Sequence, residues 1–165
     1  MATWEFQRLQ HTAEKHGWHK FISMQNFYNL IYREEEREMI PFCKETGVGL
    51  IPWSPNARGV LSRPFDSEKT ARMESDRILS TIFAPSLTDA DREVTNRVEE
   101  VAKKRGVAMA QVATAWVLSK GCCPIVGMSS IERMDAAVEA LSVKLTVEEC
   151  TYLEEAYLPK PVYGH

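Results

Sequence analysis

The sequence predicts an α/β protein built on about three parallel strands with flanking helices, and two observations carry that reading. Short apolar runs recur at 20–26, 48–54 and 123–128, and the segments between them place apolar residues at helical spacing. Strands joined through helices form right-handed βα units and run parallel, and a sheet covered by helices on both faces reads as continuous apolar runs. With 165 residues, 44% of them hydrophobic, the chain is long enough for one domain with its own core, expected over 1–165.

Each element has a local signal. Residues 2–16 carry Phe6, Leu9 and Ala13 at spacings of three and four, and Gly17 stands where a helix ends. KFISMQN (20–26) reads as the first strand. REEEREMIPFCKETG (33–47) reads as one helix, with acids at its start, Lys44 near its end and Gly47 closing it. VGLIPWS (48–54) is the second strand, with Pro52 near its exit. From Pro55 to about Leu87 there is little periodicity, the pattern of a long functional or mobile loop.

Thr88 and Asp91 then pair as a cap for a helix with Val94, Val98 and Val101 in a stripe, stopped by Gly106. A largely buried helix follows at 108–121, and CPIVGM (123–128) is the third strand. Ser129 or Ser130 caps a helix with Met134, Ala137, Val138 and Leu141 on one face. Thr146 and Glu149 form a capping box for the last helix, with Leu145 and Cys150 placed as a hydrophobic staple.

Charge and composition exclude several classes. A net charge of -3 gives no basic footprint for nucleic acid and no polybasic membrane patch. No run approaches the roughly 18 apolar residues of a membrane span, and no signal-peptide core follows Met1, so a cytoplasmic location is expected. Cys43, Cys122, Cys123 and Cys150 lack CxxC spacing and are expected to be reduced, mostly buried thiols, with no metal. His11, His16 and His19 surround a helix end and read as solvated.

Ligands of parallel sheets bind beyond the carboxyl ends of the strands. Gln25 and Asn26, Trp53 and Ser54, and Gly127, Met128 and Ser129 end the three runs and are expected on one side. Helix N-terminal amides near Ser129 and Ser130, with Arg133 one turn in, suit a phosphate, and a Trp beside polar groups suits a nucleotide.

SMQNFYNLIYREEEREMIPFCKETGVGLIPWSPNARGVL, CCPIVGMSSIERMDAAVEAL and the ending PKPVYGH resemble the aldo-keto reductases, in particular their fungal aryl-alcohol-dehydrogenase-like branch. The resemblance covers nearly the whole chain, with motifs in the family's order. It implies an NADP(H)-linked oxidoreductase on part of a (β/α)8 barrel. Gln25 would hold the nicotinamide carboxamide, Trp53 would stack on the ring, and Ser54, Pro55, Arg58 and Gly59 would follow the pyrophosphate. Gly127, Ser129, Ser130 and Arg133 would grip the 2′-phosphate. Asn56 stands where relatives use Leu, and Ala136 and Ala137 where many use Glu and Asn on adenine.

The resemblance runs from the family's fifth helix through its eighth, so five strands and the family's catalytic Asp, Tyr, Lys and His are expected to lie outside this chain, with translation beginning inside the ancestral gene. Tyr28 and Arg58 are the candidates its own strand exits offer for catalysis. Two other readings stay open. One is a non-redox enzyme acting on a small organic molecule at a mouth formed by Gln25, Asn26, Tyr28, Trp53 and Arg58; the other is a non-catalytic protein that pairs with full-length relatives. Three strands cannot close a barrel, so a homodimer or higher assembly is expected to cover the open edge.

Overall fold

The computed structural model describes residues 1–67 and 87–163. Most of the long connection expected from Pro55 to Leu87 therefore lies outside the described residues. Helix α1 (Thr3–Lys15) leads into β1 (Ser23–Met24), helix α2 (Met39–Thr46) into β2 (Gly49–Leu50), and helices α3 (Asp89–Arg105) and α4 (Met109–Ser119) into the third apolar run. Helices α5 (Ile131–Glu139) and α6 (Val147–Glu154) close the order.

The sheet is parallel, and its pairing extends beyond the two named strands. Gly49, Ile51 and Trp53 donate their amides to the carbonyls of Ile22, Met24 and Asn26 at 2.8, 3.0 and 2.9 Å. On the other side, Cys123 and Ile125 donate to Leu50 and Pro52, both at 2.8 Å. Pro52 is tolerated inside this ladder because its missing N–H faces the third run while its carbonyl still accepts from Ile125. The third run thus lies beside β2 as a single bridge, Trp53 opposite Ile125.

Directly paired residues in a parallel sheet share a face. Asn26, Leu50, Pro52 and Cys122 face the helices and are buried, whereas Gln25, Cys123 and Ile125 on the opposite face are exposed. The expectation of burial on both faces is corrected: one face packs on helices and the other is open. Continuous apolar runs do not distinguish these cases, because a face that lines a barrel is as apolar as one that meets a helix.

Two further corrections have local causes. The stretch 33–47 is not one helix: a 3-10 turn occupies Glu34–Glu36, and α2 begins only at Met39. Pro41 has no N–H to give the carbonyl of residue 37, so the α-helical ladder starts with Pro41 in its first turn. In α1, Phe6 and Ala13 are buried but Leu9 is exposed. The third member of the buried face is Gln10, whose amide bonds the Phe21 N–H and C=O at 2.8 and 2.9 Å.

The capping signals match the structure. Thr88 Oγ1 accepts from the Asp91 amide at 3.2 Å, and Gly106 closes α3 at φ +65°. Val94, Val98 and Val101 pack with Val112 and Trp116 of α4 in the core. Of the four cysteines, all free thiols, Cys43 and Cys122 are buried, Cys150 is half-buried and Cys123 is exposed.

Glu149 caps α6 by accepting from the Thr146 amide at 2.9 Å, and it also pairs with Arg105 of α3, Nε to Oε1 at 2.8 Å. The guanidinium holds this carboxyl far below the usual carboxylate range, at about 2. A depressed folded-state pKa contributes stability that is present above the unfolded value of about 4.3 and is lost as pH falls toward the folded one. Glu149→Gln should therefore cost about 1 kcal/mol at neutral pH. That deficit should fade between about pH 5 and pH 2. Urea unfolding across this range measures it, and a deficit unchanged with pH would contradict the assignment.

Candidate functional site

The carboxyl ends of the three parallel runs meet in one row, with Phe27 bridged to Trp53 and Trp53 to Ile125. Gln25, Trp53 and Ile125 share the open face of the sheet. One face of the Trp53 indole rests on Phe27, with ring centroids 4.4 Å apart and planes 29° apart. Phe27 also meets Tyr32 at 4.7 Å and the edge of Tyr163 at 6.3 Å. The C-terminal segment thus reaches the same aromatic cluster.

Past Trp53 the backbone turns through an uncommon conformation. Ser54, Ala57 and Arg58 all have positive φ, at 53°, 45° and 55°, and Gly59 follows at 104°. A non-glycine residue held there costs on the order of 1–2 kcal/mol, and such strain concentrates at binding sites. Two anchors hold the turn. Asn29, fully buried, donates its side-chain amide to the Ser54 carbonyl at 3.2 Å and accepts from the Ile31 N–H at 3.1 Å. Asn56 accepts the Gly59 amide on its carbonyl at 2.8 Å, and its side chain takes the Thr114 hydroxyl at 3.4 Å. That second contact ties the turn to α4 and gives Asn56 a use that a Leu would lack.

Beyond the third run, Gly127, Met128, Ser129 and Ser130 are exposed. Ser130 is the N-cap of α5: its hydroxyl accepts from the Arg133 amide at 3.4 Å. The Arg133 guanidinium donates to Ser129 Oγ at 3.0 Å, which holds the cation over the helix N-terminus, and a Cβ at Gly127 would meet only open space. A helix N-terminus, two hydroxyls and a guanidinium form a donor set for an anionic oxygen.

The sequence candidates divide in two. Gln25, Trp53, Ser54, Pro55, Arg58, Gly59, Gly127, Ser129, Ser130 and Arg133 all lie at or just past the carboxyl ends of the runs. Tyr28 does not reach the open face. It is buried, its ring packs on Trp116 at 5.1 Å, and its hydroxyl donates to Glu36 at 2.6 Å. Burial and the Glu36 carboxylate raise its pKa far above that of a free phenol. Asn26 faces the helices and is buried with neither amide atom hydrogen-bonded. Phe27, Asn29 and Tyr163 were not singled out from the sequence. Asn29 carried a signal, a second Asn in the strand-exit turn QNFYN, but its partner lies 25 residues away.

Comparison with known proteins fits this geometry. The aldo/keto reductase family model matches residues 2–158. The chain belongs to this family. It is 54% identical over 164 residues to versiconal hemiacetal acetate reductase of Aspergillus parasiticus, covering 99% of this chain and 48% of that protein. It is also 54% identical to a candidate aryl-alcohol dehydrogenase of Schizosaccharomyces pombe, over 99% of this chain and 46% of the relative. The fold matches a crystal structure of a thermostable aldo-keto reductase bound to the inhibitor epalrestat, with a TM-score of 0.64 at 23% identity, covering 91% of this chain and 45% of that one. The aldo-keto reductase chain thus spans about half the length of the curated relatives it matches. Its open sheet face agrees with part of a barrel.

Proposed function

We propose that this chain forms the NADP(H)-holding side of a reductase that interconverts a carbonyl and an alcohol, with aryl alcohols and aldehydes as the substrate class. The observation that carries the reading is the shared placement of Trp53, the strained 54–59 turn and the Ser129–Ser130–Arg133 donor set at the carboxyl ends of adjoining parallel runs. The name of the Schizosaccharomyces pombe relative, an aryl-alcohol dehydrogenase, supports the substrate class, and that of the Aspergillus parasiticus relative supports a reductase.

The residues fit the cofactor in chemistry and placement. When bound, NADP(H) supplies or accepts the hydride. Trp53, backed by Phe27, offers a fixed aromatic surface on the open sheet face, and exposed Gln25 offers an amide on the same face. The turn from Ser54 to Gly59, held by Asn29 and Asn56, orients backbone groups toward a diphosphate. Ser129 and Arg133, at the α5 N-terminus, recognise the additional phosphate that separates NADP(H) from NAD(H). Tyr28 takes no part in proton transfer, because its hydroxyl is committed to Glu36. The role of these residues is to bind and orient, and the proton donor comes from another part of the assembled barrel.

Arg133→Ala should weaken NADPH binding by about 1.5–3 kcal/mol, the scale of a charge-assisted hydrogen bond, and leave NADH nearly unchanged. Quenching of tryptophan fluorescence on titration with each nucleotide reads both affinities. An equal loss for the two would remove Arg133 from phosphate recognition.

A further inference from the structure

The C-terminal segment runs from α6 to the aromatic cluster behind Trp53 and is fixed by buried polar contacts on the way. Lys160 is its central anchor. The Lys160 amide donates to Glu34 at 2.7 Å, and its ammonium donates to Asp91 Oδ2 at 2.8 Å, with the two side chains only 14 and 3% exposed. Further on, the Tyr163 amide donates to the Tyr32 hydroxyl at 2.7 Å. The Tyr163 ring stands edge-on to Phe27, the residue on which Trp53 rests, and Tyr32 packs on Phe27 at 4.7 Å.

Asp91 has a second commitment. The same oxygen that takes Lys160 accepts the Thr88 amide and the Thr88 hydroxyl, both at 2.9 Å, which closes the cap of α3. Thr88 is where the chain enters α3 after the connection that leaves the strained 54–59 turn. Seating a lysine inward costs side-chain entropy and desolvation of the ammonium, and the Asp91 carboxylate offsets both. Removal of either partner leaves the other charge buried without its counterpart.

We infer that Lys160 is a positioning residue for the Trp53 ring: through its pair with Asp91 it seats the C-terminal segment, and the seated Tyr163, with Tyr32, fixes Phe27 beneath the indole. Without the pair, the segment keeps its Tyr157 contact on Glu34 but is free to lift from Lys160 onward. The aromatic surface is then no longer set before a ligand arrives, and its ordering is charged to binding. The consequence for a nicotinamide rests on the proposed function, whereas the placement of the ring does not.

Labelling with fluorotryptophan gives a fluorine resonance for each of the four indoles, and Trp53→Phe assigns the one that reports on this surface. Without nucleotide, Lys160→Met should shift or broaden the Trp53 resonance and leave that of Trp18, ahead of β1, in place. Lys160→Arg, which keeps the cation, should restore the wild-type line. Asp91→Asn combined with Lys160→Met leaves no unpaired buried carboxylate and should displace the Trp53 resonance in the same way in a folded chain. Lys160→Met should also weaken NADPH binding about two- to tenfold, the scale of ordering one side chain, and leave adenosine 2′,5′-bisphosphate, which lacks the nicotinamide, unchanged. A Trp53 resonance indifferent to both the single and the double substitution would overturn the inference, as would an equal loss of affinity for the two ligands. The fluorine readings need no nucleotide, so they decide the inference even for a chain that binds neither ligand, a result that would count against the proposed function alone.

Discussion

Replacing Trp116 by Ala is expected to be the most damaging single change in the described chain, costing about 3–5 kcal/mol. The ring is fully buried in the middle of α4, against Tyr28 at 5.1 Å, with the Lys120 ammonium 5.2 Å and the Arg33 guanidinium 5.7 Å from its centre. Its indole N–H donates to Glu154 at 2.8 Å, joining α4 to α6. Truncation removes apolar contact and deletes one donor from a carboxylate that Lys120 and Arg33 also bind. At about 2–4 °C per kcal/mol for a chain of this size, the melting temperature should fall by roughly 10 °C. Trp116→Phe, which keeps most of the apolar volume but not the N–H, should fall between wild type and Ala. Thermal unfolding followed by circular dichroism ranks the three, and an Ala variant within about 2 °C of wild type would refute this role.

Glu34→Ala should have the next largest effect, about 3 kcal/mol, and it should act on the C-terminal segment. The Glu34 side chain is almost completely buried. Its carboxylate accepts from the Tyr157 hydroxyl, from the Lys160 amide at 2.7 Å and from Arg37 Nε at 2.7 Å. Burial opposes ionisation, but these three donors outweigh it and hold the carboxyl below its usual range. The Tyr157 hydroxyl in turn accepts from the Arg33 amide at 3.0 Å, so Ala at position 34 breaks a network. Residues 157–163, whose far end contacts Tyr32 and Phe27, should lose protection from amide hydrogen exchange while α3 and α4 keep theirs. Unchanged protection at 157–163 would contradict the anchoring role.

These two variants also mark the division between what the sequence reveals and what it hides. Capping is local: Thr88 with Asp91 and Thr146 with Glu149 lie three residues apart, and both were readable. The late start of α2 was equally local, and Pro41 was its unread signal. The acids of 33–38 are different. By position they read as a helix start, yet Glu34 serves a tail more than 120 residues away, which no local pattern encodes. Asn29 under the Ser54 turn is hidden for the same reason. That the candidate residues meet at the carboxyl ends of the runs was legible, because parallel topology dictates it. The exposure of Met134, Val138 and Leu141 was not, because an apolar stripe in sequence states only that something covers it.

Calorimetric titration of the chain with NADPH tests the nucleotide-binding proposal most directly. Saturable binding at one site per chain is predicted, tighter for NADPH than for NADH and with its preference abolished by Arg133→Ala. Absence of saturable heat up to millimolar NADPH, from a chain shown by circular dichroism to be folded, would contradict it.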